Sequence, residues 1–209
     1  MVTCQRSQPS KGSIVNNMKF YVIYSYRPSF VNSLVRAFDA GWAHWWKGRF
    51  GHCGLIFMPN DGNVRIFDSL PSRGVGSRTF DGYFEGLSEY AIIELTAESP
   101  ATLALAKANA QRYIDEKRQY DQKGILALFL RALFGTAPHL QDSDEFWCDE
   151  FVISLAIDAC PQLLGHYLDD MRAGRLGVNI TFKILSGMGI DVTQVFGDIV
   201  KANIEQGAQ

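Results

Sequence analysis

The sequence predicts an α+β fold in which a small antiparallel sheet packs against helices. Three observations predict it. Short runs rich in aromatic and β-branched residues occupy 19–25, 52–58, 63–69 and 90–96. The turn "PNDG" joins the second and third runs, a strong hairpin signal. Beyond residue 99 the apolar residues fall at helical spacing.

Each element follows in order. "KFYVIYS" (19–25) reads as a strand. "SFVNSLVRAFDAG" (29–41) carries apolar residues at 30, 31, 34, 35 and 38 and ends on glycine, a helix with a C-cap. "HCGLIFM" and "NVRIFDS" are the hairpin strands, and "YAIIELT" is a fourth strand. Ser99-Pro100 opens a helix running to about residue 118, with proline at the tolerated first position. A second helix covers 124–134 and stops at Gly135. "SDEFWCDEFVISLAIDA" (143–159) is a third, with Ser143 or Asp144 as N-cap candidates. A further helix is expected near 162–172, before a glycine-punctuated tail.

No composition shift marks a linker. Residues 1–17 read as a polar arm, 18–160 as the core, and 161–209 as a helical extension on the same domain. Met18 is a candidate native start. At 209 residues, 47% hydrophobic and 20% charged, the chain has the composition of a soluble globular domain. Its net charge of −2, with scattered Lys and Arg, gives no footprint for nucleic acid. No window approaches the ~18 uninterrupted apolar residues of a membrane span, since Arg131 interrupts "GILALFLRALFG". The N-terminus lacks the apolar segment of a secretory signal, so synthesis in the cytoplasm is expected. Cys4, Cys53, Cys148 and Cys160 have neither zinc spacing nor the density of a disulfide scaffold. No metal or organic cofactor is expected.

The chemistry centres on "FWCDEFVISLA". Positions 148, 151, 152, 155, 156 and 159 share one helix face, which makes Cys148 a candidate core residue. Its place in the first turn is also where unpaired N–H groups and the helix dipole stabilise a thiolate. Asp149 and Glu150 oppose this, although their positions around the helix leave them to be diluted by solvent. A nucleophilic cysteine needs an imidazole and a third group to orient it. His44 lies in the aromatic "GWAHWWKG", and His139 and His166 lie in polar connectors. His52 begins a strand, and Gly54 on the same face leaves room for another group to approach. Cys53 points to the opposite face from His52 and joins Leu55 and Phe57 in an apolar stripe assigned to core.

The third group depends on hairpin register, because a one-residue slip exchanges the faces. Pairing Met58 with Asn63 turns Ser69 toward His52, whereas pairing Pro59 with Asn63 turns Asp68 toward it. A carboxylate stabilises an imidazolium better than a hydroxyl does, so Asp68 is preferred and Ser69 held in reserve.

The ordered set "GHCGLIF", "RIFDSLPSRGV" and, about a hundred residues later, "FWCDEFV" resembles the circularly permuted branch of the NlpC/p60 superfamily of papain-like cysteine hydrolases. The YiiX/YebB-like group is the nearer likeness, and the lecithin–retinol acyltransferase group a more distant one. The resemblance covers residues 19–157, including "QYDQKGIL" (119–126) ahead of the cysteine helix, and leaves 160–209 unexplained. It implies a papain-like fold with Cys148 as nucleophile at a helix N-terminus, His52 as base and Asp68 as orienting acid. The chain departs from the family pattern in three places. Asp68 replaces the commoner Glu, Cys53 stands where Val is usual, and Asp149 stands where a small hydroxyl residue is frequent.

The implied activity is amide hydrolysis, with cell-wall peptide bonds as the leading substrate. A wall substrate and the lack of a secretion signal are reconciled in one way by a phage-particle (tail-associated) component carried to the wall, and neighbouring subunits would then order the polar arm. Two other readings compete: a non-catalytic assembly subunit on the same fold, and a thiol acyltransferase or thioesterase acting on lipid acyl groups. A sulfur-to-imidazole contact separates the first of these from an enzyme.

Overall fold

The first strand, β1 (Lys19–Tyr26), is apolar on both of its faces, and this places it inside the sheet rather than at its edge. Phe20, Val22 and Tyr24 face a layer of helices, and Tyr21 and Ile23 face a smaller second core. The computed structural model describes residues 18–29, 32, 33, 35, 36, 48–57, 64–123, 126, 130, 134, 145–172 and 176–196. The arm at 1–17, the turn at 58–63, and most of the helices expected at 29–41 and 124–134 lie outside these residues.

Among the described residues the architecture is α+β, with a six-stranded sheet in the order β4-β3-β2-β1-β5-β6. The other strands are β2 (His52–Phe57), β3 (Arg65–Leu70), β4 (Gly74–Thr79), β5 (Glu89–Thr96) and β6 (Ile190–Asp191). Every pairing is antiparallel. β1 pairs with β2 and β5 along almost its whole length, so the most apolar strand is also the most enclosed. β4 is, with the two-residue β6, a strand that sequence pattern does not suggest, because "GVGSRT" has little β propensity. It is held by its ladder to β3 and by the Val75 N–H, which donates to the Arg118 carbonyl at 2.9 Å. A short helix, α1 (Phe80–Phe84), follows it and covers the second face.

α2 (Pro100–Asp115) starts as its sequence signals require. The Thr102 N–H donates to the Ser99 hydroxyl at 3.1 Å, and the Ser99 N–H donates to the Thr102 hydroxyl at 3.0 Å. It ends at Asp115, three residues earlier than expected, with Lys117 in the left-handed region (φ 52°). Its buried face, Leu103, Ala106, Ala110 and Tyr113, joins the core shared with α3 (Cys148–Ala159). α3 is buried nearly all round; only Ser154 and Asp158 are half-buried. It is the central helix, set between the sheet and α2.

The helix expected near 162–172 is broken. α4 (Pro161–Leu164), a 3-10 turn at Gly165–Tyr167 and α5 (Leu168–Arg172) take its place. α6 (Val178–Met188) then returns to the core, and β6 adds the last strand at the β5 edge. The described part of the C-terminal extension is therefore both helical and stranded. It packs on both faces, with Leu185 in the helical core and Phe196 edge-on to Tyr21 at 4.9 Å. No helix among the described residues is long and apolar enough to cross a membrane.

Candidate active site

The hairpin adopts the register that puts Asp68 on the same face as His52. Leu55 pairs with Phe67 and Ile56 with Ile66, which sets Gly54 opposite Asp68. A Cβ on Gly54 would lie 3.0 Å from Ile66 Cγ2 and 3.1 Å from the Phe67 carbonyl oxygen, so the close approach of β2 and β3 requires glycine here. His52 Nε2 lies 3.0 Å from Asp68 Oδ2. Asp68 is fully buried and also accepts from Arg73 (Nη2 to Oδ1, 2.5 Å) and from Arg78 Nη2. Burial would push this carboxyl up, but the His52 hydrogen bond and charge, with both guanidinium groups, outweigh it and hold Asp68 below its usual range. The Tyr83 ring stacks on His52 with centroids 6.1 Å apart, and the Arg78 guanidinium covers its face at 4.5 Å. The Tyr83 hydroxyl is in turn hydrogen-bonded to Ser25 at 2.9 Å. Ring orientation and ionic state of the imidazole are thus both set from β3, β4 and α1.

Cys148 is the first residue of α3, with Trp147 in extended conformation at the N-cap position. The N-cap candidates Ser143 and Asp144 are therefore set aside. The chain stays extended through Trp147 because it is pinned from two sides. The Phe146 N–H donates to the Gln119 carbonyl at 3.1 Å, and the Ser69 hydroxyl donates to the Phe146 carbonyl at 2.6 Å. Both bonds are made at Phe146, two residues before the first helical residue. Ser69, the reserve for the third group, does not face His52; it fastens the segment leading into Cys148 to the sheet.

The Cys148 sulfur is in hydrogen-bonding contact with His52 and with Cys53, whose thiol and backbone N–H both reach it. Asp68 engages Nε2, which leaves Nδ1 as the imidazole nitrogen for the sulfur. The Cys53 hydrogen bonds, and then the bond and charge of His52, overcome burial and hold the Cys148 thiol well below its ordinary range. Burial pulls His52 down, but the bonds to Asp68 and Cys148 and their charges overcome it and raise the imidazole to about 9. The directions of the three shifts favour a buried thiolate beside an imidazolium, backed by an ionised carboxylate.

The acids after the cysteine are not diluted by solvent, as the helix geometry alone suggests. Asp149 and Glu150 are both buried, because α3 runs through the middle of the molecule. Glu150 Oε2 accepts from the Trp147 N–H at 3.3 Å, while burial and the charge of Asp121 push its carboxyl up to about 8. Near neutrality it keeps its proton and adds no negative charge beside the thiolate. Tyr120, also buried, feels the charges of Cys148 and Asp149, which locates the "QYD" segment over the helix start.

The structure thus brings Cys148, His52 and Asp68 together. His166 is exposed, and His44, His139 and Cys4 lie outside the described residues. Three contributors escaped sequence reasoning. Arg73 and Arg78 flank the acid in "DSLPSRGVGSR", and their spacing around a turn was the available signal. Cys53 was assigned to core, and it is fully buried. Its apolar stripe points toward the helix layer, which is where the Cys148 sulfur lies. Among the described residues no group of three His, Cys, Asp or Glu side chains is placed to hold a metal ion.

No family model matches the chain, and no curated protein matches it.

Proposed function

We propose that the chain is a cysteine hydrolase, an amidase or endopeptidase of papain-like, permuted NlpC/p60 type, with Cys148, His52 and Asp68 as its triad. One observation carries this reading: a single buried imidazole hydrogen-bonded to a carboxylate and to a thiol at the first turn of a helix. A core cysteine has no need of that partner, and a non-catalytic subunit has no use for the charge separation.

The Cys148 thiolate attacks the substrate carbonyl carbon, and the π electrons move to oxygen. The backbone N–H of Cys148, at the open end of α3, is a donor available to that oxyanion. Collapse expels the amine, which takes the His52 proton, and leaves a thioester on Cys148. His52, now neutral, removes a proton from water, whose oxygen attacks the thioester. Cys148 leaves as thiolate with the imidazolium restored. Asp68 holds the Nε2–H tautomer throughout and supports the positive charge.

Cell-wall peptide is the substrate that the motif resemblance favours, delivered by a virion-associated protein. Purified peptidoglycan incubated with the wild type should release peptide fragments, identified by mass spectrometry. Cys148→Ala should lower the rate by at least about 10³-fold. Release of no fragment by the wild type would remove the wall assignment. Undiminished release by Cys148→Ala would remove the mechanism.

A further inference from the structure

We infer that Arg78 and Arg73 are positioning residues that temper the imidazole, setting through Asp68 the pH at which His52 gives up its proton. Asp68 is fully buried, yet three donors converge on it. His52 Nε2 lies 3.0 Å from Oδ2, Arg78 Nη2 donates to that same oxygen, and Arg73 Nη2 donates to Oδ1 at 2.5 Å. Sharing one oxygen keeps the Arg78 and His52 charges inside the ~4–6 Å over which like charges oppose each other's ionisation. A bare carboxylate would give its whole field to the imidazole. This one is divided between the imidazole and two guanidinium groups.

The Arg78 guanidinium lies 4.5 Å over the Tyr83 ring, and that ring is 6.1 Å from the His52 ring, so one aromatic side chain seats both cations. Tyr83 is itself held by Ser25, whose backbone pairs with His52 across β1 and β2. Arg78 Nε is buried and has no hydrogen-bond partner among the described residues, which leaves Asp68 and the Tyr83 ring as what holds the cation. Of the groups facing His52, Asp68 from β3 and Cys148 from α3 favour the imidazolium, and Tyr83 from α1 keeps its proton. The arginines, from β4 and from the turn before it, are the opposing charges. Their effect on catalysis rests on the hydrolase reading: an imidazolium held too tightly is a poor acid toward a leaving amine. Their effect on the His52 proton does not depend on that reading.

The test needs no substrate. Full-length protein labelled in its histidine rings is titrated by NMR through about pH 9, the His52 signal being the one that His52→Gln removes. Arg78→Gln should raise its midpoint by about one pH unit, and Arg73→Gln by less, since Arg73 sits on the other oxygen. Arg78→Lys, which keeps the charge, should hold the midpoint nearer the wild-type value. Arg65→Gln, an exposed loss of the same charge from β3, should leave it in place. Should Arg78→Gln fail to fold, Arg73→Gln, in the more exposed turn, decides. In peptidoglycan digestion the upper pH limb of Arg78→Gln should rise with the midpoint, kcat falling while KM holds. The inference is overturned if the glutamine variants leave the midpoint in place or lower it, or if Arg65→Gln raises it equally. A wild type that releases no fragment would remove the wall assignment, and the titration would still decide this inference.

Discussion

At the scale of single residues, the site is an argument about charge in a dry place. His52 is raised to about 9 and Cys148 is held well below its ordinary range, so the ion pair exists between the two. Hydrolysis needs both the thiolate and the imidazolium proton, and its rate should therefore plateau in that window and decline as pH rises through about 9. Alkylation of Cys148 by iodoacetamide needs only the thiolate and should not decline there. Matching upper limbs in the two profiles would contradict the assignment. Asp68→Asn should slow hydrolysis by roughly 10²–10⁴-fold and move the upper limb to lower pH, because the imidazolium loses its counter-charge. The same substitution strands Arg73 and Arg78 without their shared carboxylate, so unfolding should be followed alongside the kinetics.

Secondary-structure elements set the distances on which those charges depend. Gly54→Ala would force a methyl against Ile66 Cγ2 and the Phe67 carbonyl, and backbone cannot yield as a flexible side chain can. Prising β2 from β3 should cost about 1–3 kcal/mol in urea unfolding and stretch the His52–Asp68 bond. Ser69→Ala, by freeing the Phe146 carbonyl, should cost about 1–2 kcal/mol. A stability change within error would mean that Ser69 is dispensable to the start of α3. Sequence legibility follows the same physics. β1, β2, β3 and β5 were readable because each carries aromatic or β-branched residues in a short run with buried positions on both faces. β4 and the two-residue β6 were not, since partner strands rather than residue preferences hold them in place. Cys148 and His52 were legible as chemistry in search of a partner, and Asp68 was legible up to a choice of register that only the hairpin itself makes. The start of α3 was not, because bonds to Gln119 and Ser69, distant in sequence, override local capping signals.

For the molecule as a whole, burial of ionisable groups ties folding to pH. Glu150 binds its proton up to about 8 when folded but only up to its ordinary 4.5 when unfolded. The folded state thus holds this proton between those values, and the Glu150 contribution to stability falls as pH rises through that interval. His52 acts with the same sign between its ordinary 6.5 and about 9, whereas Cys148, held below its ordinary range, acts with the opposite sign. Glu150→Gln keeps the acceptor for the Trp147 N–H without a titrating proton. The difference in unfolding free energy between wild type and variant should therefore shift in favour of the variant from pH 5 to pH 8 and level off above. A difference that stays flat across the interval would place Glu150 in contact with water. The second face of the sheet, closed by Tyr83, Phe80 and Phe196, makes the same whole serve the site, since Tyr83 is the ring on which His52 rests.

The side chain of Asn179 on α6 accepts from the N–H groups of Arg49 and Phe50, at 2.8 and 3.0 Å, and donates to the Phe50 carbonyl at 3.0 Å. It imitates a strand partner for the stretch that delivers His52, 127 positions away in sequence. A chain cut after Cys160 would keep Cys148, His52 and Asp68 and lose this splint. The portable unit is accordingly longer than the motif: transplanting the three chemical residues with their immediate strands and helix into another protein should carry the reagents without the workshop.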